Sequence, residues 1–261
     1  MPSDTSQFRF EDSAQIDSSV TFGPNCREVY IGHGAILRRD LYIDVEILSI
    51  GDYTTIQHGS IIHGKKVSLG NNCWVGHYCV LDGLGGELRI GNNVGVGAHS
   101  QLWSHMKFGD TLAGCKWKNE GQLIIGDDAW LVGHCIVNPI MVEPRSMLLT
   151  GGVATKDMKE NHVYAGTPAV DVTESLGVQF QAREPVEIER DWMILIDDYS
   201  MLGNDISFIR TVKKIAEETY SKEFTSFSPV ERLYIPNYSL REIAFMSYLL
   251  YDKAKFLPFS T

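Results

Sequence analysis

Ile90-Gly91-Asn92-Asn93-Val94-Gly95-Val96-Gly97-Ala98-His99-Ser100 decides the fold of this chain. An aliphatic–Gly pair opens a six-residue unit, and four residues after each aliphatic stands a modest side chain, here Val94 and then Ser100. The same pair recurs at Ile31-Gly32, Ile50-Gly51, Leu69-Gly70, Val75-Gly76 and Ile125-Gly126, followed at the fourth position by Ala35, Thr54, Cys73, Cys79 and Ala129. From Ile125 the beat runs on through Leu131, Val137, Glu143 and Leu149, with Cys135, Met141, Met147 and Val153 at the fourth position after each. A period of six suits neither a helix nor a simple amphipathic strand. It suits a solenoid, in which a short strand and a turn repeat and neighbouring coils bury one another. Glycine after the aliphatic fits a corner that needs either a positive φ or close backbone approach. The interior is expected to hold Ile50, Leu69, Val75, Ile90, Val96, Ile125, Leu131 and Leu149.

With 261 residues the chain has room for one solenoid and a smaller appendage. Its 44% hydrophobic and 21% charged content is that of an ordinary globular protein. A net charge of −10 argues against a general nucleic-acid or anionic-membrane surface. No apolar run approaches transmembrane length, so a cytoplasmic protein is expected. Of the five cysteines, Cys73, Cys79 and Cys135 fall on the inward fourth position, where a free thiol packs as a small hydrophobe. No Cys-x-x-Cys occurs, Cys26 and Cys115 lie outside the beat, and no metal is expected.

Three regions follow. Residues 1–13 form a polar N-terminal segment expected to be loosely held. Residues 14–170 carry the coils, with two irregularities: Gly83-Leu84-Gly85-Gly86, which lengthens one corner, and an excursion over 103–122 where the repeat vanishes. Long excursions in a compact fold are usually functional. Residues 171–261 lose the beat and form an appendage with two predicted helices. One is expected over Asp205–Phe224, on the spacing of Ile206, Ile209, Val212 and Ala216; the other follows the Ser239–Glu242 capping box. The apolar run Trp192–Ile196 reads as a buried strand.

Three segments, Ile125-Gly126-Asp127-Asp128-Ala129-Trp130-Leu131, Thr150-Gly151-Gly152-Val153-Ala154-Thr155-Lys156-Asp157 and Tyr164-Ala165-Gly166-Thr167-Pro168-Ala169, resemble in order and spacing the hexapeptide-repeat acyltransferases, nearest to the galactoside and maltose acetyltransferases. The resemblance covers about residues 30–170. It implies an all-β solenoid, specifically a left-handed parallel β-helix, working as a homotrimer that moves acetyl from acetyl-CoA to a hydroxyl or amine of a small acceptor, such as a sugar or nucleotide sugar. Val132, Asn138 and Thr150 depart from the pattern by standing where relatives carry Gly or another small residue.

The family's catalytic histidine lies where the coil breaks into the protruding loop, which here is His105. An acceptor hydroxyl or ammonium must lose a proton before it attacks a thioester, and imidazole titrates in the right range to take it. Direct attack is expected, since no cysteine or serine stands in a recognisable nucleophile setting. Asp82 matches a carboxylate that faces the acceptor, although it reads equally as a corner residue stabilising the turn into Gly83. Trp103, at the start of the excursion, is assigned with it to the acceptor. On the donor side the resemblance points to Trp130, Lys156, Ala165, Gly166, Thr167 and Pro168 for coenzyme A. Coil packing for Trp130 and a solvated corner for Lys156 remain alternative readings.

A second resemblance runs through the first half. Leu37-Arg38-Arg39-Asp40, Ile50-Gly51-Asp52-Tyr53-Thr54-Thr55-Ile56-Gln57, Ile61-Ile62-His63 and Val75-Gly76-His77 look like the γ-class carbonic anhydrases, which share the solenoid. That likeness implies a divalent metal held by His63, His77 and, where the family has a third histidine, Asp82. A non-catalytic trimeric scaffold is the third possibility. The acetyltransferase is the preferred reading.

Overall fold

The computed structural model describes residues 7–117 and 119–259, and it divides into two compact units, Met1–Phe180 and Gln181–Thr261. The first unit is a parallel β-helix with three strand-bearing faces. On the first face Ile31 pairs in register with Ile50, Ile50 with Leu69, Leu69 with Ile90, Ile90 with Ile125 and Ile125 with Val142. The second face stacks Ile16, Leu37, Ile56, Val75, Val96, Leu131, Leu148 and Tyr164. The third stacks Phe22, Ile43, Ile62, Leu81, Leu102, Val137 and Ala154. Two longer strands, Tyr42–Ile50 and Ile61–Leu69, run round the corner that joins the third face to the first. Ile50, Leu69, Val75, Ile90, Val96, Ile125 and Leu131 are buried as expected.

The hexad's internal logic is visible in its hydrogen bonds. The fourth-position side chains point inward, and several donate to a glycine carbonyl of the next coil: Thr54 Oγ1 to Gly70 O at 2.7 Å, Cys73 Sγ to Gly91 O at 3.0 Å, Cys79 Sγ to Gly97 O at 3.4 Å. Burial pushes the Cys79 thiol up to about 11, and Cys135 rises for the same reason. At the corner after the first face, each coil's backbone N–H donates to the side-chain oxygen one coil on. His33 N reaches Asp52, Asp52 N reaches Asn71, Asn71 N reaches Asn92 and Asn92 N reaches Asp127, at 2.7–2.9 Å.

Of the two uses open to the corner glycine, the structure takes close approach. A Cβ on Gly97 would lie 1.9 Å from the Val132 carbonyl oxygen. Positive φ falls instead two residues later, on Tyr53, Asn72, Tyr78, Asn93, His99 and Asp128. Asn and Asp are the side chains that tolerate that region best.

Three expectations about the coils need correction. The described part of the N-terminal segment is held, because Gln7–Phe10 pairs in parallel with Glu28–Ile31. Leu149 is only half-buried, and Leu148 takes the interior position. The cause is a short step between the inward Val137 and the inward Val142 through Pro139, which moves every later hexad by one residue. Glu143 therefore lies outside, and Ser146 becomes the buried small residue, donating to the Glu143 and Lys159 carbonyls.

The second unit carries a mixed four-stranded sheet in the order Ile209–Thr211, Thr225–Ser228, Leu233–Ile235, Leu257–Pro258, with helices Pro185–Met201 and Leu240–Leu249. Ser239 caps the latter helix as its sequence predicts. Trp192–Ile196 is helix and not strand: only Trp192, Ile196 and Tyr199 of that helix are buried, a helical spacing hidden inside a continuous apolar run. The helix expected over 205–224 is absent. Its place is taken by the strand Ile209–Thr211 and a short turn at Ile215–Glu217, in which Ile215 is buried and Ala216 exposed. No helix among the described residues is long and apolar enough to cross a membrane.

Candidate active site

Where the coil breaks after Leu102, the chain turns outward into an antiparallel hairpin, His105–Met106 against Asn119–Glu120. The neighbouring strand Val80–Gly83 pairs Leu81 with Leu102, which delivers Asp82 to the foot of that hairpin. Asp82 is fully buried, and three donors converge on its Oδ1: the Ser104 amide at 3.1 Å, Ser104 Oγ at 2.7 Å and His105 Nδ1 at 2.8 Å. A carboxylate can only accept here, so the imidazole proton sits on Nδ1 and the lone pair is left on Nε2. His105 keeps 18% of its side chain exposed. The arrangement is that of a base oriented by a buried anion.

The glycine corner expected at residues 83–86 is what locks this geometry. The Gly85 amide donates to Ser104 Oγ at 2.8 Å, and the Gly121 amide to the Ser104 carbonyl at 3.0 Å. A Cβ on Gly85 would stand 2.3 Å from the Ser104 carbonyl oxygen and 2.6 Å from His105 Cβ, so only glycine can back onto the histidine. Trp103 presents its ring edgewise to His105, centroids 6.1 Å apart, and is itself fixed by donating Nε1–H to Gln101. His63 approaches Asp82 from the preceding coil, Nε2 to Oδ2 at 3.5 Å.

Both acceptor-side residues expected from the sequence, Asp82 and Trp103, thus meet His105. Asp82 meets it as a partner with no surface of its own. Ser104 was not anticipated; its signal was its place between Trp103 and His105, one coil on from Asp82.

The donor-side residues lie elsewhere on the coils. Trp130 faces outward on the second face, 44% exposed, with its Cδ1 3.0 Å from where a Cβ on Gly95 would be. Lys156 is exposed. Ala165 ends the strand Val163–Ala165, and Gly166–Pro168 form a turn with a cis Thr167–Pro168 bond, anchored by Val153 N–H to Gly166 O at 3.0 Å and Ala169 N–H to Val153 O at 2.8 Å. None of them makes a hydrogen bond, ion pair or ring contact with His105 or Asp82 among the described residues.

Within one chain, the trio that the second resemblance implies is not brought together. His77 turns to another corner, its Nδ1 2.9 Å from His58 Nδ1, whereas His63 faces Asp82. Among the described residues no group of three or more His, Cys, Asp or Glu side chains is gathered to hold a metal ion.

No family profile matches the chain. Two curated proteins similar to it are the bifunctional protein GlmU of Pseudoalteromonas atlantica, 25% identical over 170 residues, and that of Bartonella bacilliformis, 24% identical over 188. The matches cover 59% and 66% of this chain but 34% and 39% of those proteins, so the chain spans well under half the length of the curated relatives it matches. Among solved structures, one of the N-acyltransferase AntD from Bacillus cereus, in complex with dTDP-4-amino-4,6-dideoxyglucose and coenzyme A, is 18% identical with a TM-score of 0.48, covering 64% of this chain and 89% of that one. The polySia-specific acetyltransferase NeuO is 18% identical with a TM-score of 0.43, covering 74% and 100%. A maltose O-acetyltransferase from Clostridium difficile is 19% identical with a TM-score of 0.34, covering 49% and 66%. These three solved proteins are an N-acyltransferase, an acetyltransferase and an O-acetyltransferase.

Proposed function

We propose that the protein is an acyltransferase that carries an acetyl group from acetyl-CoA to a hydroxyl or amine of a small acceptor, a sugar or nucleotide sugar, with His105 as general base. The observation that carries this reading is the 2.8 Å contact between His105 Nδ1 and the fully buried Asp82. It fixes the tautomer, orients the ring and supplies a negative charge where an imidazolium must form. His105 Nε2 takes the acceptor proton as the acceptor oxygen or nitrogen attacks the thioester carbonyl. Collapse of the tetrahedral adduct breaks the carbon–sulfur bond, and the proton passes from Nε2 to the departing thiolate. Asp82 acts through His105 and does not touch the acceptor; Trp103 walls the acceptor side.

A direct transfer is supported by the state of the thiols, since Cys79 and Cys135 are buried and held protonated. Coenzyme A is assigned to Trp130, Lys156 and the segment Ala165–Pro168. The separation of these residues from His105 supports a homotrimer in which a neighbouring copy completes the site. So does the excursion, which leaves Phe108 and Trp117 105% and 82% exposed, unusual for large apolar side chains. A cytoplasmic location is part of the same proposal.

The test is acetyl transfer from acetyl-CoA to a panel of glucose, glucosamine and dTDP-4-amino-4,6-dideoxyglucose. Replacing His105 by Ala should lower turnover by about 10²–10⁴ while coenzyme A still protects the protein thermally. Full activity in His105→Ala, or neither transfer nor thermal protection by coenzyme A in the native protein, overturns the proposal. Sedimentation as a monomer at working concentration would remove the trimer.

A further inference from the structure

We propose that His63 is a positioning residue for the general base, acting through Asp82; this rests on the acyl-transfer reading above. The two oxygens of Asp82 are unequally served. Oδ1 receives Ser104 N–H, Ser104 O–H and His105 Nδ1–H at 2.7–3.1 Å. Oδ2 has the Leu84 amide at 3.4 Å and His63 Nε2 at 3.5 Å. Among the described residues, His63 is therefore the one side chain at that oxygen. A carboxylate with no exposed surface needs donors on both oxygens, because an unpartnered buried oxygen is costly. Without His63, the group gains by turning about Cβ–Cγ to bring Oδ2 toward the Ser104 donors. That rotation takes Oδ1 off His105 Nδ1. His63 thus fixes the plane of the carboxylate from the side opposite the base.

The register explains why a histidine at position 63 can do this. Parallel pairing places Asp44, His63 and Asp82 on one row, each opposite the next. Asp44 is engaged with Asn25 through both oxygens, at 2.9 and 2.8 Å. The only ion pair of His63 among the described residues is the one with Asp82. The ring keeps 27% of its surface, so it has room for the small rotation that would shorten a 3.5 Å contact into a hydrogen bond.

The experiment compares His63→Phe, His63→Asn and His63→Gln with His105→Ala in the full chain, using acetyl-CoA with the acceptor panel above. In His63→Phe, kcat should fall about 10–100-fold, by analogy with the loss of groups that orient metal-bound histidines, while acceptor KM and coenzyme A affinity stay within about twofold. Gln, whose amide N–H can reach Oδ2, should restore kcat to within about threefold; Asn, one methylene shorter, should not. The Gln–Asn contrast keeps the test alive if the Phe variant fails to fold. Wild-type kcat in His63→Phe or His63→Asn overturns the inference. So does a folded His63→Gln as slow as His63→Asn, or a raised acceptor KM at unchanged kcat, which would place His63 on the acceptor. If His63 variants are unaffected and His105→Ala is dead, the acyl-transfer reading survives alone. Full activity in His105→Ala removes that reading itself.

Discussion

The solenoid and the C-terminal unit bury their apolar surface with different side chains. Inside the coils stand Ile, Val, Leu and a row of Ala, Ser, Thr and Cys, each in the same slot of its hexad. The C-terminal unit has no repeating slot. Trp192, Phe227, Phe245 and Phe256 pack edge to face and tilted, with ring centroids 5.1–5.7 Å apart, and Tyr199 and Phe208 close on Phe245. Trp192 also donates to Thr211 Oγ1 at 2.8 Å. Stacked coils reuse one contact many times, so each residue matters through its slot. An aromatic cluster is assembled once, so each ring matters through its shape.

The difference can be broken at its strongest point with Ile90→Asp. Ile90 pairs with Leu69 below and Ile125 above and is 2% exposed, so a carboxylate there is an unpaired buried charge between two coils. We expect loss of the folded solenoid, read by circular dichroism and sedimentation; a soluble variant melting near wild type would show that the slots are not equivalent. A smaller effect is expected from Phe245→Ala, about 3–5 kcal/mol by the range for buried Phe, seen as faster amide exchange across residues 181–259. Exchange that rises chiefly within residues 14–170 would contradict the assignment of Phe245 to the second unit's core.

The smallest effect concerns acid stability. Asp205 is held down to about 2 by Ser207, first through its side chain and then its backbone, and next by Arg241 at 2.9 Å. Its carboxyl titrates below its unfolded value of 3.8, so its contribution is present above that value and is lost as pH falls toward about 2. Asp205→Asn should flatten the fall of the thermal midpoint between those pH values, lower the midpoint modestly at neutrality where the contribution is fully present, and match wild type near pH 2. An unchanged acid slope would mean that the Ser207 and Arg241 contacts are not maintained in solution.

How much of this was legible in the sequence follows from the same contrast. The hexad shows itself because seven aliphatic–Gly pairs repeat one instruction, and the buried Ile90, Val96 and Ile125 obey it. The slip after Val137 was not legible, since Leu148 and Leu149 are the same residue and only the pairing of Leu148 with Leu131 separates them. In the C-terminal unit a run such as Trp192–Ile196 satisfies strand and helix templates alike, and the choice is made by Pro185 and by Glu187 closing on the Glu184 amide at 3.1 Å upstream. His105 stands out in the sequence through the family resemblance, at the point where the beat stops. The contact of Asp82 with His105 was not legible, because the carboxylate is brought across coils by a pairing, Leu81 with Leu102, that becomes known only once the length of the intervening coil is fixed.

Coil length itself has a consequence. Successive corner contacts along the first face's edge span 19, 21 and then 35 residues, from Asp52 to Asn71, to Asn92 and to Asp127. Every extra residue is taken up outside the walls, and the strands above and below stay in register as though nothing had been added. The Gly83–Gly86 corner and the 103–122 excursion are two such surpluses in neighbouring turns of the chain, and Asp82 and His105 stand at their edges. A scaffold of this kind gains a pocket by lengthening a corner, with its core left untouched. Chemistry and stability are thereby written in different parts of the same coil, and either can be rewritten without the other.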